Sequence, residues 1–181
     1  FHIYNDVVVL RPAPDETDGR LPMVLSAMRR MKAEVGETTA LYGLICGPFT
    51  LASHLRGNDI FMDLYDDEDY VKELLAYCTE CGRRLSSYYM DAGMDVIAVV
   101  DPLVSQISVN HFSEFLHEPF AELFSHIREK GAFSSFFVCG ELSVEPPALP
   151  APTAFRPYPA AGVSAPGATA PVAWAVSSGA L

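Results

Sequence analysis

Three short stretches bring together residue types that do chemistry: Cys46-Gly47-Pro48-Phe49-Thr50, Asp101-Pro102 and Cys139-Gly140. Each closes a run of apolar residues and turns the chain with glycine or proline. As a thiolate, Cys139 would be a soft metal ligand, and thiolate favours zinc. A zinc site needs at least two further protein ligands. The residue two positions back, which would face the same way on a strand, is Phe137, and no Cys or His follows Cys139. The other reading of Cys139 is a small buried core side chain. Asp101 could be a general base, a metal ligand or an acceptor for a substrate hydrogen bond. Equally, it could cap a loop by accepting from backbone amides. His54, four residues after Thr50, reads as a pocket-lining group or as a half-exposed helix histidine.

Other candidates read as structure. Cys78-Thr79-Glu80-Cys81 has redox or metal spacing, but it falls inside a helical pattern with Cys78 on the apolar stripe. A redox pair should instead open a helix, where the dipole lowers the thiol pKa. Spacings of six and nine do not stack His111, His117 and His126 as ligands, so these rings read as solvated. Tyr88-Tyr89 reads as packing. No phosphate-binding glycine loop, serine-nucleophile elbow or paired metal motif occurs.

The elements that must position these residues follow from periodicity. Val7 to Leu10 is a short β-branched run ahead of a turn-rich acidic loop. Pro22, then Leu21, Leu25, Met28 and Val35 at helical spacing, and Gly36 as a stop, predict a helix. LYGLIC (41–46) predicts a buried strand, and Thr50 to Leu55 a short helix closed by Gly57. From about Asp67 to Ala92, Val71, Leu74, Leu75, Cys78, Gly82, Leu85 and Tyr89 form one helical stripe. DVIAVV (95–100) and AFSSFFV (132–138) predict two more strands. Between them lies a helix rich in phenylalanine, which Pro119 should kink or break. Apolar strands alternating with helices predict an α/β fold, a parallel sheet covered by helices. In such folds ligands sit at the carboxyl ends of the strands, which is where the three stretches fall.

Composition limits the partners. The chain has 181 residues and a net charge of −11, which excludes non-specific nucleic-acid binding through clustered cations. No apolar run approaches the length of a membrane span. Four irregularly spaced cysteines predict free thiols in a reducing compartment, so a cytoplasmic location is expected. The opening FHIYND has no Met and no basic n-region, which predicts a start inside a longer sequence and no secretory signal. From residue 141 the composition shifts: more than half of the fourteen prolines lie there, and the only charges are Glu141, Glu145 and Arg156. The expected division is a domain over 1–140 and an irregular tail over 141–181, with a short extended run at Val172 to Val176.

GPFTLASHLRG (47–57), MDAGMDVIAVVDPLVSQIS (90–108), FSEFLHEPFAELFSHIREKG (112–131) and the strand ending VCG (138–140) occur in one order. With DGRLPMVLSAMRRMK (18–32), they resemble the uroporphyrinogen decarboxylase superfamily over about residues 5 to 140. That superfamily includes the decarboxylase and zinc-dependent methyltransferases that move a methyl group from a methyl-corrinoid to a thiol. The resemblance implies a TIM-type (β/α)8 barrel, here a partial one of about four parallel strands, because a full barrel needs about 250 residues. It implies substrate-binding roles for Pro48, Phe49, Thr50 and His54, a catalytic role for Asp101, and the metal position for Cys139. A small-molecule substrate and a corrinoid protein are the implied partners, with a homo-oligomer as an open alternative and no nucleic acid or membrane. Zinc is implied in the methyltransferase branch and no cofactor in the decarboxylase branch.

Departures from the pattern are specific. The methyltransferase His-x-Cys-Gly stands here as Phe137-Val138-Cys139-Gly140, and nothing after Gly140 matches the third ligand. The decarboxylase's N-terminal arginine motif is absent, and Ser53 or His54 stands where its pocket tyrosine would fall. The Asp-Pro pair is nearer the methyltransferase branch. Methyl transfer is therefore the expected chemistry, porphyrinogen decarboxylation the alternative, and a truncated non-enzymatic product the rival.

Overall fold

The computed structural model describes residues 12–139 together with two short strand segments at 3–4 and 7–8. Gly140, the tail over 141–181 and the run at Val172 to Val176 lie outside the described residues. At the N-terminus β1 (Ile3–Tyr4) pairs antiparallel with β2 (Val7–Val8) in its own small sheet. The β-branched run at Val7 thus contributes a two-residue strand outside the main sheet.

The main sheet has three parallel strands in sequential order: β3 (Tyr42–Cys46), β4 (Val96–Val100) and β5 (Phe133–Phe137). Tyr42 aligns with Val96 and Phe133, and Cys46 aligns with Val100 and Phe137, so the three carboxyl ends finish level. The ladder continues past them, with the Gly47 amide donating to Val100 O and the Asp101 amide to Phe137 O. Among the described residues the sheet therefore has three strands where about four were expected.

The helices fall where the apolar period places them. The first, α1 (Leu21–Val35), carries its proline in the first turn and buries Leu25 and Met28. After β3 comes α2 (Pro48–Arg56), and a 3-10 turn then leads to α3 (Ile60–Asp66), a helix between the two expected ones. The longest helix is α4 (Glu68–Asp91), whose first turn Asp67 caps by accepting from the Tyr70 amide. It buries Thr79, Cys81 and Ser86 beside the expected stripe, because it contacts α2, α3, β3 and β4 and also the helix α6 (His117–Glu129). Gly93 ends this segment at φ 95°, a left-handed conformation that side chains with a Cβ resist. After β4 come a 3-10 turn at Pro102–Gln106 and the single turn α5 (Val109–His111).

Pro119 neither kinks nor breaks a continuous α-helix. A π-helical turn spans Phe112–Leu116, with the His117 amide reaching back to Phe112 O, and α6 (His117–Glu129) starts after it. Pro119 then lies in the first turn of α6, where a missing N–H costs nothing.

The core lies between one face of the sheet and helices α4 and α6. Ile45, Ile97 and Val99 pack there with Leu74, Leu75, Cys78, Phe120, Leu123 and Ile127. Gly82 lets α4 and α6 approach closely: a Cβ there would sit 3.3 Å from Leu123. The opposite face alternates out of the core, and Tyr42 and Leu44 on β3 are 59% and 62% exposed. A sheet covered by helices was expected, and among the described residues the helices cover one face.

Candidate functional site

The carboxyl ends of β3 and β4 are joined by one buried carboxylate. Helix α2 starts at Gly47-Pro48, so it has no side chain of its own to cap its first amides. Such amides need an acceptor from elsewhere. Asp101, just past β4, supplies it and is completely buried. Its Oδ2 accepts from the Phe49 amide at 2.9 Å. Its Oδ1 accepts from the Thr50 amide at 2.9 Å and from the Thr50 hydroxyl at 2.5 Å. The Thr50 Oγ1 in turn accepts from the Leu103 amide at 3.4 Å. Gly47 gives way to this arrangement: an added Cβ would stand 2.3 Å from Asp101 Oδ2.

Electrostatics follow from the burial. Loss of solvent raises the Asp101 carboxyl to about 6, against the hydrogen bonds from Thr50 and Phe49, which lower it. Cys46, half-buried at the end of β3, is raised to about 11 by burial and then by the charge of Asp101. Burial also raises Cys78 and Cys81 on α4, as expected of core thiols. All four cysteines are unpaired.

The structure brings Phe49, Thr50 and Asp101 together, with Pro48 buried beside them. His54 stands on the exposed side of α2, away from the hydrogen bonds of this cluster. Cys139 lies past β5 and is exposed, so it is not the buried core side chain of one reading. Ser105 Oγ shares its one proton between Pro102 O at 2.8 Å and the Cys139 carbonyl at 3.3 Å. Two histidines expected in solvent are packed. His111 lies edge-on to Tyr65 at 4.7 Å, and His126 Nε2 meets Ser87 Oγ at 2.8 Å. Ser87 Oγ also lies 2.9 Å from Arg83 O, so this hydroxyl bridges the α4 backbone and the imidazole.

The donor set does not make a zinc site. Among the described residues no group of three or more His, Cys, Asp or Glu could hold a metal ion. Cys139 has Phe137 where a second ligand was expected. No helix among the described residues is long and apolar enough to cross a membrane.

Thr50 and Leu103 are the residues whose part the sequence did not reveal. One signal was present: a helix opening on Gly-Pro, with no Ser, Thr, Asp or Asn before it, must be capped from a distance.

The sequence matches uroporphyrinogen decarboxylase (URO-D) over residues 2–152. The chain belongs to the uroporphyrinogen decarboxylase family. Family relatives of two kinds resemble it. The methylcobamide:CoM methyltransferase MtbA of Methanosarcina acetivorans is 31% identical over 88 residues, 49% of this chain and 26% of that protein. MtbA of Methanosarcina mazei is 27% identical over 67% of this chain and 37% of its own length. The uroporphyrinogen decarboxylase of a Sulfurovum species is 25% identical over 64% of this chain and 36% of its own. A solved methyltransferase from Methanosarcina mazei superposes with a TM-score of 0.65 at 27% identity, covering 71% of this chain and 39% of that one. The chain thus spans less than half the length of these relatives. Its fold is the family's α/β type, part of a TIM-type barrel, with the Asp101 cluster at the carboxyl end of the sheet.

Proposed function

We propose that this chain carries part of a group-transfer site whose chemistry is methyl transfer from a methyl-corrinoid to a thiol. The observation that carries the reading is the likeness to the solved methyltransferase, which covers 71% of this chain at 27% identity. The Asp101-Pro102 pair after β4 agrees with it. In this reading the domain runs over 1–140 and the tail over 141–181. Pro48, Phe49 and Thr50 form the floor beneath a small-molecule substrate, His54 stands toward its rim, and Asp101 lies under both. The partner is a corrinoid protein, and the setting is cytoplasmic, where thiols stay reduced. No step is assigned to zinc, because the described donors do not assemble a site for it.

Decarboxylation of a porphyrinogen is the second reading, favoured by the Sulfurovum relative at nearly the same identity and coverage. Methyl transfer from methylcobalamin to a panel of thiols, assayed beside porphyrinogen decarboxylation, separates the two. Methylated thiol without decarboxylation is the expected result. Decarboxylation alone reverses the choice, and absence of both overturns both. Zinc content of the purified chain, beside that of Cys139→Ala, tests the metal directly: stoichiometric zinc lost in the variant would restore Cys139 as a ligand.

A further inference from the structure

We infer that Asp101 is a positioning residue: its carboxylate is the N-terminal cap of α2, supplied from the end of the neighbouring strand, and it fixes the loops that frame the site. Three donors occupy its two oxygens, two of them backbone amides of α2 and the third the Thr50 hydroxyl. The Gly47 backbone lies so close to the carboxylate that a Cβ on that residue would have no room. A general base needs hydrogen-bond reach to a substrate proton. Asp101 has none: it is fully buried beneath the helix it caps.

The same geometry bears on the substrate. The start of a nine-residue helix attracts anions through its free amides. Here the protein's own carboxylate already holds the amides of Phe49 and Thr50, so a substrate acid must find its partner elsewhere. The cap also reaches beyond α2. Thr50 receives the Leu103 amide, and from the same turn Ser105 donates to the carbonyl of Cys139. One row of contacts therefore crosses all three strand ends, with Asp101 as its only buried charge.

The inference rests on this geometry and holds for either family reaction, so its test needs no turnover. Asp101→Ala is prepared in the full chain, and amide hydrogen exchange at Phe49 and Thr50 is followed with Tm. Protection at both amides should fall about five- to tenfold, the effect of losing a cap. Sodium formate, which fits the vacated position, should restore it, and sodium chloride at equal ionic strength should not. A structural lesion of any other kind would not respond to formate at these two amides. If Asp101→Ala fails to fold, Thr50→Ser and Thr50→Val replace it. The serine should keep wild-type protection at Leu103 and the valine should lose it. Unchanged protection of Phe49 and Thr50 in Asp101→Ala, or no difference between serine and valine, overturns the role.

Discussion

Two strand ends of one sheet are built in opposite ways. At β3 and β4 the chain turns inside the protein, and a carboxylate with three donors ties one loop to the other. At β5 the chain leaves over an exposed surface: past the last ladder bond, from the Asp101 amide to Phe137 O, a 3.3 Å contact from Ser105 reaches the Cys139 carbonyl. The first arrangement stores its specificity in burial: every polar atom must be matched, because an unmatched one costs about 1–3 kcal/mol. The second has little to lose. A site on this scaffold thus has one wall tied together by buried hydrogen bonds.

Paired substitutions at the two ends put numbers on that contrast. Phe49 is fully buried and meets Phe61 edge-to-face at 5.6 Å, whereas Phe137 is 45% exposed. Phe49→Ala should cost about 4 kcal/mol in urea unfolding. Phe137→Ala, at the open end, should cost less than about 1.5 kcal/mol. Equal losses would remove the distinction between the ends. Gly47→Ala adds a single methyl at the hydrogen-bonded wall. That methyl meets the Cβ and carboxylate of Asp101, which the helix holds in place, so a loss of about 3 kcal/mol is expected from overpacking. Gly131→Ala gives the control, since a Cβ there meets nothing within 4 Å and only the cost of its positive φ is felt.

The contrast also explains what could be read in advance. Strand ends, the long helix and its core stripe were legible, because apolar runs and three-to-four spacing follow directly from burial on a 3.6-residue helix or in a buried strand. Cys46-Gly47-Pro48-Phe49-Thr50 and Asp101-Pro102 were picked out as pocket candidates for their place after strands. That they bond each other was not legible, since they lie more than fifty residues apart and only the parallel register aligns their ends. The packing of His111 and His126 escaped for the same reason: their partners Tyr65 and Ser87 come from other helices. The π-turn at Phe112–Leu116 shows a further limit. Proline marks where the helix must adjust, but the adjustment came upstream of it.

Acid titration addresses the buried charge itself. Folding raises the Asp101 carboxyl from 3.8 to about 6, so the folded state holds its proton more tightly than the unfolded chain. Its contribution is then most favourable below about pH 4 and is lost as pH rises through about 6, by at most about 3 kcal/mol. The charge of Asp101 acts on the thiols of Cys46 and Cys78, both raised and therefore neutral across that window. The stability of the wild type relative to Asp101→Asn should fall between pH 4 and pH 7. A difference that rises or stays level contradicts a carboxyl held above its ordinary value.

Thiol reactivity is the readout with the smallest expected effect, and its first comparison uses the wild-type chain. Alkylation depends on the thiolate and on access to it. Cys139 is exposed, while Cys78 and Cys81 are buried. Cys46 is half-buried, and burial and the Asp101 charge hold it up near 11. With iodoacetamide near pH 8, Cys139 should react first and Cys46 well after it, as resolved by peptide mass spectrometry. Replacing Asp101 by Asn removes the like charge, and burial, the larger cause, remains. Cys46 should then speed up only a few-fold, with Cys139 unchanged as the internal reference. Unequal acceleration is the informative outcome, since it ties the thiol at the end of β3 to the carboxylate at the end of β4. Parallel acceleration of both thiols would mean instead that the variant had loosened the whole sheet.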